Sequence, residues 1–340
     1  MNPPKSTMLK YNALVLQTTN LCNLRCRHCY PSSGATPEEI YRYGTSRSMT
    51  PQQAERYIRQ VPGSKNIDQR LHLGGGESTL LKEEFKEIIS LGKQYGLVVT
   101  MVTNSSWAKD QEIADAFIND LKTRGLAGIQ LSISQFHQEL LDIGYVIRAV
   151  RASKKVGLEI ILRPVTTKTV TLADVLKNIP ADDLFGVKIA ASNCIAVGRA
   201  RDAVADHEFF ERDISFQSCH KMLNLTIRQD GGVYPCCAGS DITDALCLGN
   251  ADCEPLQDIL QRAETDPLLN VLVFQGTKYL AEILRDYGGK DFTNKRYGHI
   301  CELCNDLFID NTIAAQLRQA LRHHLNKATL TNLENVSILP

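Results

Sequence analysis

The chain carries no surplus of charge: 38 Lys and Arg balance 38 Asp and Glu across 340 residues. That removes the global electrostatic case for a nucleic-acid binder, which ordinarily carries a basic surplus. No apolar run approaches the ~18–20 residues that a membrane span needs. The longest runs, such as Leu158 to Leu162, are strand-sized. The opening residues, Met1-Asn2-Pro3-Pro4-Lys5, lack a hydrophobic signal core. A cytoplasmic protein is expected, with neither a nucleic-acid nor a membrane partner. Internal repeats and low-complexity tracts are also missing. Hydrophobic residues make up 43% and charged residues 22%, ordinary values for a globular chain with a sizeable core. At roughly 150 residues per domain, the length suggests two domains, or one large α/β unit with an appendage.

Cysteine, by contrast, is abundant: there are 11. In a reducing compartment disulfides are rare, and an odd number cannot pair completely. So many cysteines in such a chain point to metal, and their positions matter more than their number.

The first two-thirds of the chain alternate between strand-like and helix-like segments. Strands are expected at Leu14 to Leu16, Leu71 to Leu73, Leu97 to Val102, Ile129 to Ile133, Leu158 to Leu162 and Val187 to Ala190. Helices are expected from Pro51 to Val61 with Thr50 as N-cap, over Lys82 to Tyr95, Asp110 to Leu121, Ile143 to Val156 and Leu172 to Ile179. This alternation implies right-handed βαβ units and a parallel sheet, with the active site at the carboxyl ends of the strands. Six such strands suit a partial α/β barrel or an open doubly wound sheet. After about residue 205 the pattern changes. Leu223 to Arg228 and Gly232 to Tyr234 flank Asp230-Gly231, a hairpin signal. Helices are expected near 255–265, 275–287 and Asn311 to Leu325, followed by an exposed tail from Lys327 to Pro340.

Directly after the first strand, Cys22, Cys26 and Cys29 are spaced C-x3-C-x2-C. Three thiolates on one short loop can wrap one end of a compact metal centre. A closed structural zinc site needs four ligands, and His28, the possible fourth, adjoins Cys29 and would converge poorly. Capture of an iron–sulfur cluster by thiolates alone, with one iron left open, suits the spacing better. With Tyr30 just after the last cysteine, this loop resembles the signature of the radical S-adenosylmethionine (SAM) superfamily. The resemblance implies a partial (β/α)6-type barrel and a 4Fe-4S cluster whose open iron binds SAM. Reductive cleavage of SAM then yields a 5′-deoxyadenosyl radical that takes hydrogen from an unactivated C–H bond.

Further residues fit the resemblance. Gly74-Gly75-Gly76-Glu77 follows the second strand, where a glycine run allows close backbone approach to a ligand. It resembles the family's Gly-Gly-Glu motif, which contacts the SAM amino group, although Ser78 stands where Pro often follows. Val102-Thr103-Asn104 ends the third strand. Ser132 on the fourth strand and Arg163 on the fifth are carried over as binders of the SAM ribose and carboxylate. Gly198-Arg199 resembles a motif that lies near the adenosine. Phe136-His137-Gln138 could face the substrate, though a lone histidine there is more often structural.

A second set of cysteines lies in the C-terminal third. Cys219 precedes the hairpin, Cys236 and Cys237 follow it, and Cys301-x2-Cys304 comes much later. Four thiolates are also a common zinc arrangement. Beside the first motif, the pattern resembles the shorter twitch version of the SPASM auxiliary-cluster domain. That resemblance implies one auxiliary 4Fe-4S cluster held by Cys219, Cys236, Cys301 and Cys304. The expected organisation is a radical SAM core over 11–205, a small α+β auxiliary domain over 206–310, and a C-terminal helix and tail over 311–340. Cys194, Cys237, Cys247 and Cys253 are left over, and free cysteines are usually small buried apolar residues. Cys237 adjoins a ligand and could return a hydrogen atom to a substrate radical, which would make the enzyme an epimerase. Cys247 is the second candidate for that role, or a substitute ligand.

The resembled families mainly modify ribosomally made peptides by crosslinking, epimerisation or thioether formation, or oxidise and epimerise sugars and aminocyclitols. A precursor peptide or small-molecule substrate is therefore expected, with an electron donor such as flavodoxin or ferredoxin. The first core strand begins near Tyr11, which is expected to leave no room for an N-terminal leader-binding domain. A non-catalytic zinc or iron–sulfur protein is the other class, and the intact loop and glycine motif argue against it. An RNA methyltransferase is disfavoured by the neutral charge.

Overall fold

The computed structural model describes residues 8–36, 48–214, 217–220 and 223–336, so residues 337–340 of the expected tail lie outside it. Six strands run parallel and side by side in chain order: β1 (Leu14–Thr19), β2 (Arg70–Gly75), β3 (Val98–Thr103), β4 (Leu126–Ser134), β5 (Glu159–Thr166) and β6 (Lys188–Ile189). They are linked by α1 (Pro51–Ile58), α2 (Glu83–Gln94), α3 (Gln111–Arg124), α4 (Gln135–Gln138), α5 (Ile143–Lys155), α6 (Leu172–Leu176) and α7 (Ala181–Leu184). The sheet does not close on itself, so the core is the partial parallel barrel that the family resemblance implied, one of the two arrangements the alternation left open.

Local chemistry explains the starts of the helices. Thr50 accepts a hydrogen bond from Gln53 N, with Pro51 in the first turn of α1. Asp110 does the same for Ile113 N at the start of α3. Along the strands, side chains alternate between two faces. Leu14, Leu16, Leu71, Leu73, Val99 and Met101 are fully buried and stand in register across β1 to β3. Between them, half-buried His72 and Thr100 face the other way and are joined by a 2.9 Å Nδ1–Oγ1 hydrogen bond.

Strand β5 is longer than expected and contains Pro164, which has no N–H to give a neighbouring strand. Its outer partner changes there. β6 pairs with Ile161 and Leu162, whereas the short β7 (Ser192–Asn193) pairs with Val165 and Thr166. Arg163 therefore sits within the strand at this break rather than closing it.

The hairpin is where expected, as β8 (Leu225–Ile227) and β9 (Gly232–Tyr234), and β10 (Gly249–Asn250) adds a third strand. It does not stand apart. β8 pairs in parallel with β1, Leu14 opposite Leu225 and Leu16 opposite Ile227, so the sheet crosses the expected boundary at 205/206. After α8 (Ala200–Ala203) come α9 (Leu256–Thr265), α10 (Pro267–Phe274), α11 (Thr277–Asp286), α12 (Ile300–Phe308) and α13 (Asn311–Val336). Two of these were not anticipated. α10 is almost wholly apolar and so shows no helical period. α12, which carries Cys301 and Cys304, is capped by His299, outside the usual capping set. α13 runs past the expected end at Leu325 into the expected tail. Among the described residues, no helix is long and apolar enough to cross a membrane.

One apolar core joins barrel residues such as Leu14 and Leu71 to Leu225, Leu256, Leu284 and Leu317. The two thirds of the chain are therefore expected to unfold together. Trp107, the only tryptophan, reports on the barrel. Leu225→Ala should cost about 2–5 kcal/mol and shift the Trp107 fluorescence transition in urea to lower concentration. An unmoved Trp107 transition would show that the two parts unfold independently.

Candidate active site

β1 delivers the chain into the cysteine loop, whose backbone is internally bonded. Cys22 N donates to Gly34 O at 2.8 Å, Cys29 N to Cys26 O at 3.2 Å, and Ser32 N to Cys29 O at 3.3 Å. Asn104, just past β3, places Nδ2 3.7 Å from Cys22 Sγ. Burial, helped by mutual repulsion, pushes the Cys22 and Cys26 thiols up to about 12, and burial raises Cys29 as well. Thiols held this way give up their protons to a strongly cationic centre and to little else.

The glycine run at the end of β2 lies against this loop. Gly76 N donates to Thr19 O at 2.6 Å and Glu77 N to Leu21 O at 2.8 Å. A Cβ on Gly76 would collide with the Leu21 carbonyl, and one on Gly75 (φ 132°) with that of Thr19. Gly74 is more tolerant, since a Cβ there would make an ordinary 3.5 Å contact with Val102. The carboxylate of Glu77 is fully buried. It accepts from Thr79 Oγ1 (2.7 Å), Thr103 Oγ1 (2.9 Å) and Asn104 N (2.8 Å). It clamps the end of β3 and leaves any approach to a ligand to the glycine backbone.

Gly198 and Arg199, expected near the adenosine, are placed against the cysteine loop. Gly198 has φ 62° and is pressed onto the Tyr30 carbonyl, where no side chain fits. Arg199 N donates to Cys29 O (3.1 Å), Nη1 to Cys26 O (3.0 Å) and Nη2 to Ser33 O (2.5 Å). His28 does not join the thiols. Its ring stacks on Phe136 at 4.7 Å and meets His137 edge-on at 4.8 Å. His137 is bonded to Ser134 Oγ at 2.8 Å, and burial pushes it down to about 4. The Phe136-His137 pair thus packs beside the loop as structure.

The second set of thiols also converges. Cys301 and Cys304, one turn apart on α12, each feel the charge of Cys219 and Cys236. Burial pushes Cys219 up to about 11, with Cys236 adding to it. Between the two helical cysteines, Glu302 accepts from Ala196 N (2.9 Å) and Gly298 N (2.8 Å). Cys237 stands beside this group, raised to about 12 by burial and then by Cys236 and Asp241, with Arg163 opposing. Arg163 is exposed, and Ser132 is its register partner on β4. Tyr30 links the two sets: its hydroxyl is raised by burial and then by Asp241, Cys237, Cys29 and Cys236. Cys237, next in the chain to Cys236, is thus coupled to the auxiliary set.

The other spare cysteines are elsewhere. Cys247 is exposed and donates to Gly249 O at 3.4 Å, beside Tyr234, and is drawn into neither group. Cys253 is exposed, and Cys194 is buried among Leu24, Cys26 and Phe136. Among the described residues, no three His, Cys, Asp or Glu side chains could hold a single metal ion. Thiols around a polynuclear cluster stand further apart than those around one ion with ~2.3 Å metal–sulfur bonds.

Comparison with known proteins decides the family. The model of the radical SAM superfamily matches residues 16–179, and that of the SPASM iron–sulfur cluster-binding domain matches residues 219–305. The chain carries a radical SAM domain and a SPASM domain. A 4Fe-4S cluster with SAM, and auxiliary iron–sulfur chemistry, are the cofactors of these domains. The chain is 23% identical over 305 residues to YydG of Bacillus subtilis, whose name ties it to peptide biosynthesis; the match covers 88% of this chain and 92% of YydG. It is 27% identical over 166 residues to the GTP 3′,8-cyclase of Aquifex aeolicus, covering 46% of this chain and 48% of that one. Native anSMEcpe with bound AdoMet superposes with a TM-score of 0.56 at 16% identity, over 96% of this chain and 99% of that chain. The anSMEcpe complex with AdoMet and the Cp18Cys peptide gives 0.55 at 15% identity, over 96% and 99%. At that identity the likeness is one of fold.

The two thiol sets fit the cofactors of a radical SAM protein. Both are made of sulfur donors alone, half-buried or buried and mutually repelling. Three supporting residues were not picked out in the sequence: Gln17, Asp241 and Glu302. Only Glu302 carries a local signal, as an acid between two cysteines one helical turn apart. The glycine geometry gives a graded expectation for this radical SAM site. Gly76→Ala should push the Leu21 carbonyl and the cysteine loop away, lowering iron from about eight to about four atoms per chain. Gly74→Ala should keep about eight. Equal iron in both variants, measured after anaerobic purification, would contradict the close packing described here.

Proposed function

We propose that this chain is a radical SAM enzyme that epimerises a residue of a ribosomally made peptide. In this reading Cys22, Cys26 and Cys29 hold the SAM-binding 4Fe-4S cluster. Cys219, Cys236, Cys301 and Cys304 hold one auxiliary 4Fe-4S cluster. The backbone of Gly74, Gly75 and Gly76 lines the SAM amino group, and Ser132 and Arg163 receive its carboxylate and ribose. The cluster and SAM together supply, on one-electron reduction by a flavodoxin or ferredoxin, a 5′-deoxyadenosyl radical that removes hydrogen from carbon. The peptide reading is supported by YydG, related over nearly the whole chain and named for peptide biosynthesis, and by the peptide-bound anSMEcpe of the same fold.

The observation that carries the epimerase reading is the position of Cys237. It is a thiol left over from the two ligand sets, next in the chain to Cys236, with Cys236, Asp241 and Arg163 among the charges it feels. Burial keeps its S–H bond intact at neutral pH. Such a group can give a hydrogen atom to a substrate carbon from the face opposite the one that lost it, which inverts that centre. Cys247, exposed and bonded to its own strand, is not placed for this.

Two measurements test the reading. Wild-type protein prepared without oxygen should hold about eight iron atoms per chain, and the Cys22/Cys26/Cys29→Ala variant about four. About four in the wild type and none in the variant would leave no auxiliary cluster. For the reaction, the probe is a synthetic peptide matching any short reading frame found beside the gene, incubated with SAM and dithionite in D2O. Wild type should place one solvent deuterium on the Cα of an inverted residue. Cys237→Ala should still cleave SAM to 5′-deoxyadenosine but invert nothing. A Cys237→Ala protein that inverts normally would retire this role.

A further inference from the structure

The end of β3 brings a side-chain amide against a cysteine sulfur. Asn104, the first residue past that strand, is 8% exposed. Its main-chain N–H donates to the buried carboxylate of Glu77 at 2.8 Å. Its side chain is engaged at both ends. Oδ1 accepts from Ser106 N at 2.9 Å. Nδ2 donates to Asn23 Oδ1 at 3.0 Å and to Cys22 Sγ at 3.7 Å. An amide can in principle be turned end for end. Here the choice is forced, because Ser106 N is a donor and must meet the oxygen. The two N–H bonds of Nδ2 therefore face the cysteine loop. Leu24 N reaches the same sulfur at 3.4 Å. Cys22 Sγ is thus met by two N–H donors, one of them from a residue 82 positions away.

We propose that Asn104 raises the reduction potential of the SAM-binding cluster through its N–H···S bond to Cys22, a role resting on the assignment of Cys22, Cys26 and Cys29 as the ligands. An electron taken from a donor of the flavodoxin or ferredoxin class adds one negative charge and breaks no bond. The ligand sulfurs share that charge. A donor aimed at one of them favours the reduced form over the oxidised form. Hydrogen bonds to sulfur, net charge and burial are the levers by which a protein sets such a potential.

The surroundings give this lever its weight. A hydrogen bond is electrostatically stronger away from bulk water, and Asn104 is buried. Three ligand sulfurs lie on one short loop, and the Glu77 carboxylate is bonded to the same residue. Added negative charge is unwelcome there, and the amide N–H is placed to offset part of it. Arg199 does a different job. It holds the carbonyls of Cys26, Cys29 and Ser33 and so fixes the shape of the loop. Asn104 touches the sulfur itself.

Three variants separate the sulfur contact from mere support of the loop. Asn104→Ala removes the donor. Asn104→Asp keeps an oxygen for Ser106 N and sets the other against the sulfur. Asn23→Ala removes the bond between Asn104 and Asn23 but leaves the N–H at Cys22. The readout is an EPR-monitored redox titration of the holoenzyme prepared without oxygen, following the cluster whose signal responds to added SAM. In Asn104→Ala the ratio of reduced to oxidised cluster at a fixed poise should fall about tenfold, which is about 59 mV for one electron. Asn104→Asp should fall at least as far, and Asn23→Ala by less than about twofold. Iron should stay at about eight atoms per chain, and the auxiliary cluster should titrate alike in all four proteins. A second readout uses wild type alone. Protein grown with asparagine carrying 15N in its side-chain amide should show a weakly coupled 15N in the hyperfine spectrum of the reduced, SAM-responsive cluster. Asn23→Ala should keep that coupling. An unmoved potential in both Asn104 variants, an equal fall in Asn23→Ala, an equal fall in both clusters, or a wild-type spectrum without the coupling overturns the role. If the Asn104 variants lose iron, the wild-type coupling decides alone. Wild type without a SAM-responsive cluster retires the ligand assignment and this role together. A responsive cluster indifferent to Asn104 retires this role alone.

Discussion

Both thiol sets depend on one short stretch of backbone, residues 194–203, strung between them. At one end Cys194 N is tied to the last residue of β5, Thr166 O, at 2.8 Å. In the middle Ala196 N donates to Glu302, between the two helical cysteines. Three residues later Arg199 holds the carbonyls of Cys26, Cys29 and Ser33. Arg201 then returns to α12 through Asn305 (2.9 Å) and Asp306 (2.8 Å). A displacement of this strap cannot be absorbed on one side only, because the same few residues bond to both loops. Glu302 shows what the arrangement costs. A buried carboxylate beside thiols is unfavourable unless its oxygens are satisfied, and two backbone N–H groups satisfy them. Moving the strap would take one of those two donors away from the buried carboxyl, so the strap is held where it is.

The pairing of β8 with β1 acts in the same direction. It carries the C-terminal hairpin onto the strand that delivers the cysteine loop. The turn after β9 holds Cys236, Cys237 and Asp241, and Asp241 reaches back to Gln17 on β1. Two chain regions more than 200 residues apart are thereby fixed on opposite sides of one strand. The space between them is bounded by Tyr30 below and by Arg163 across the barrel.

The sequence was informative where a chemical requirement is local. Three cysteines on one loop, a glycine run at a strand end and two cysteines one turn apart announce themselves by spacing. The alternation of strands and helices likewise carries the barrel, because burial follows a short period. Contacts set by long-range folding were not legible. Arg199 sits in a recognisable motif, yet only the structure places its guanidinium on the Cys26 and Ser33 carbonyls, more than 160 residues away. Gln17 reads as one polar residue in an apolar strand, and its partner is 224 positions distant. The helix α10 was hidden for another reason: when nearly every face is apolar, periodicity vanishes. The break between β6 and β7 was missed because the expected fifth strand stopped at Leu162, two residues short of Pro164, whose missing N–H lies where the partner strand changes.

The electrostatics of the thiols give the arrangement its direction. Six of the cysteines in the two sets have their thiols pushed up, chiefly through burial. Arg199 is a minor influence that favours the thiolates of Cys26 and Cys29. In the folded chain without metal these groups are therefore neutral, so their burial carries no charge penalty and the sites can form in advance. Loading iron then releases protons, and its free energy adds to that of folding. Asp241 differs in kind. Its hydrogen bonds from Gln17 and Gly239 favour the carboxylate while burial favours the acid, and the near balance leaves it close to neutral pH. The same desolvation that makes a thiol an inert, protonated hydrogen reservoir thus makes a carboxyl group a responsive one.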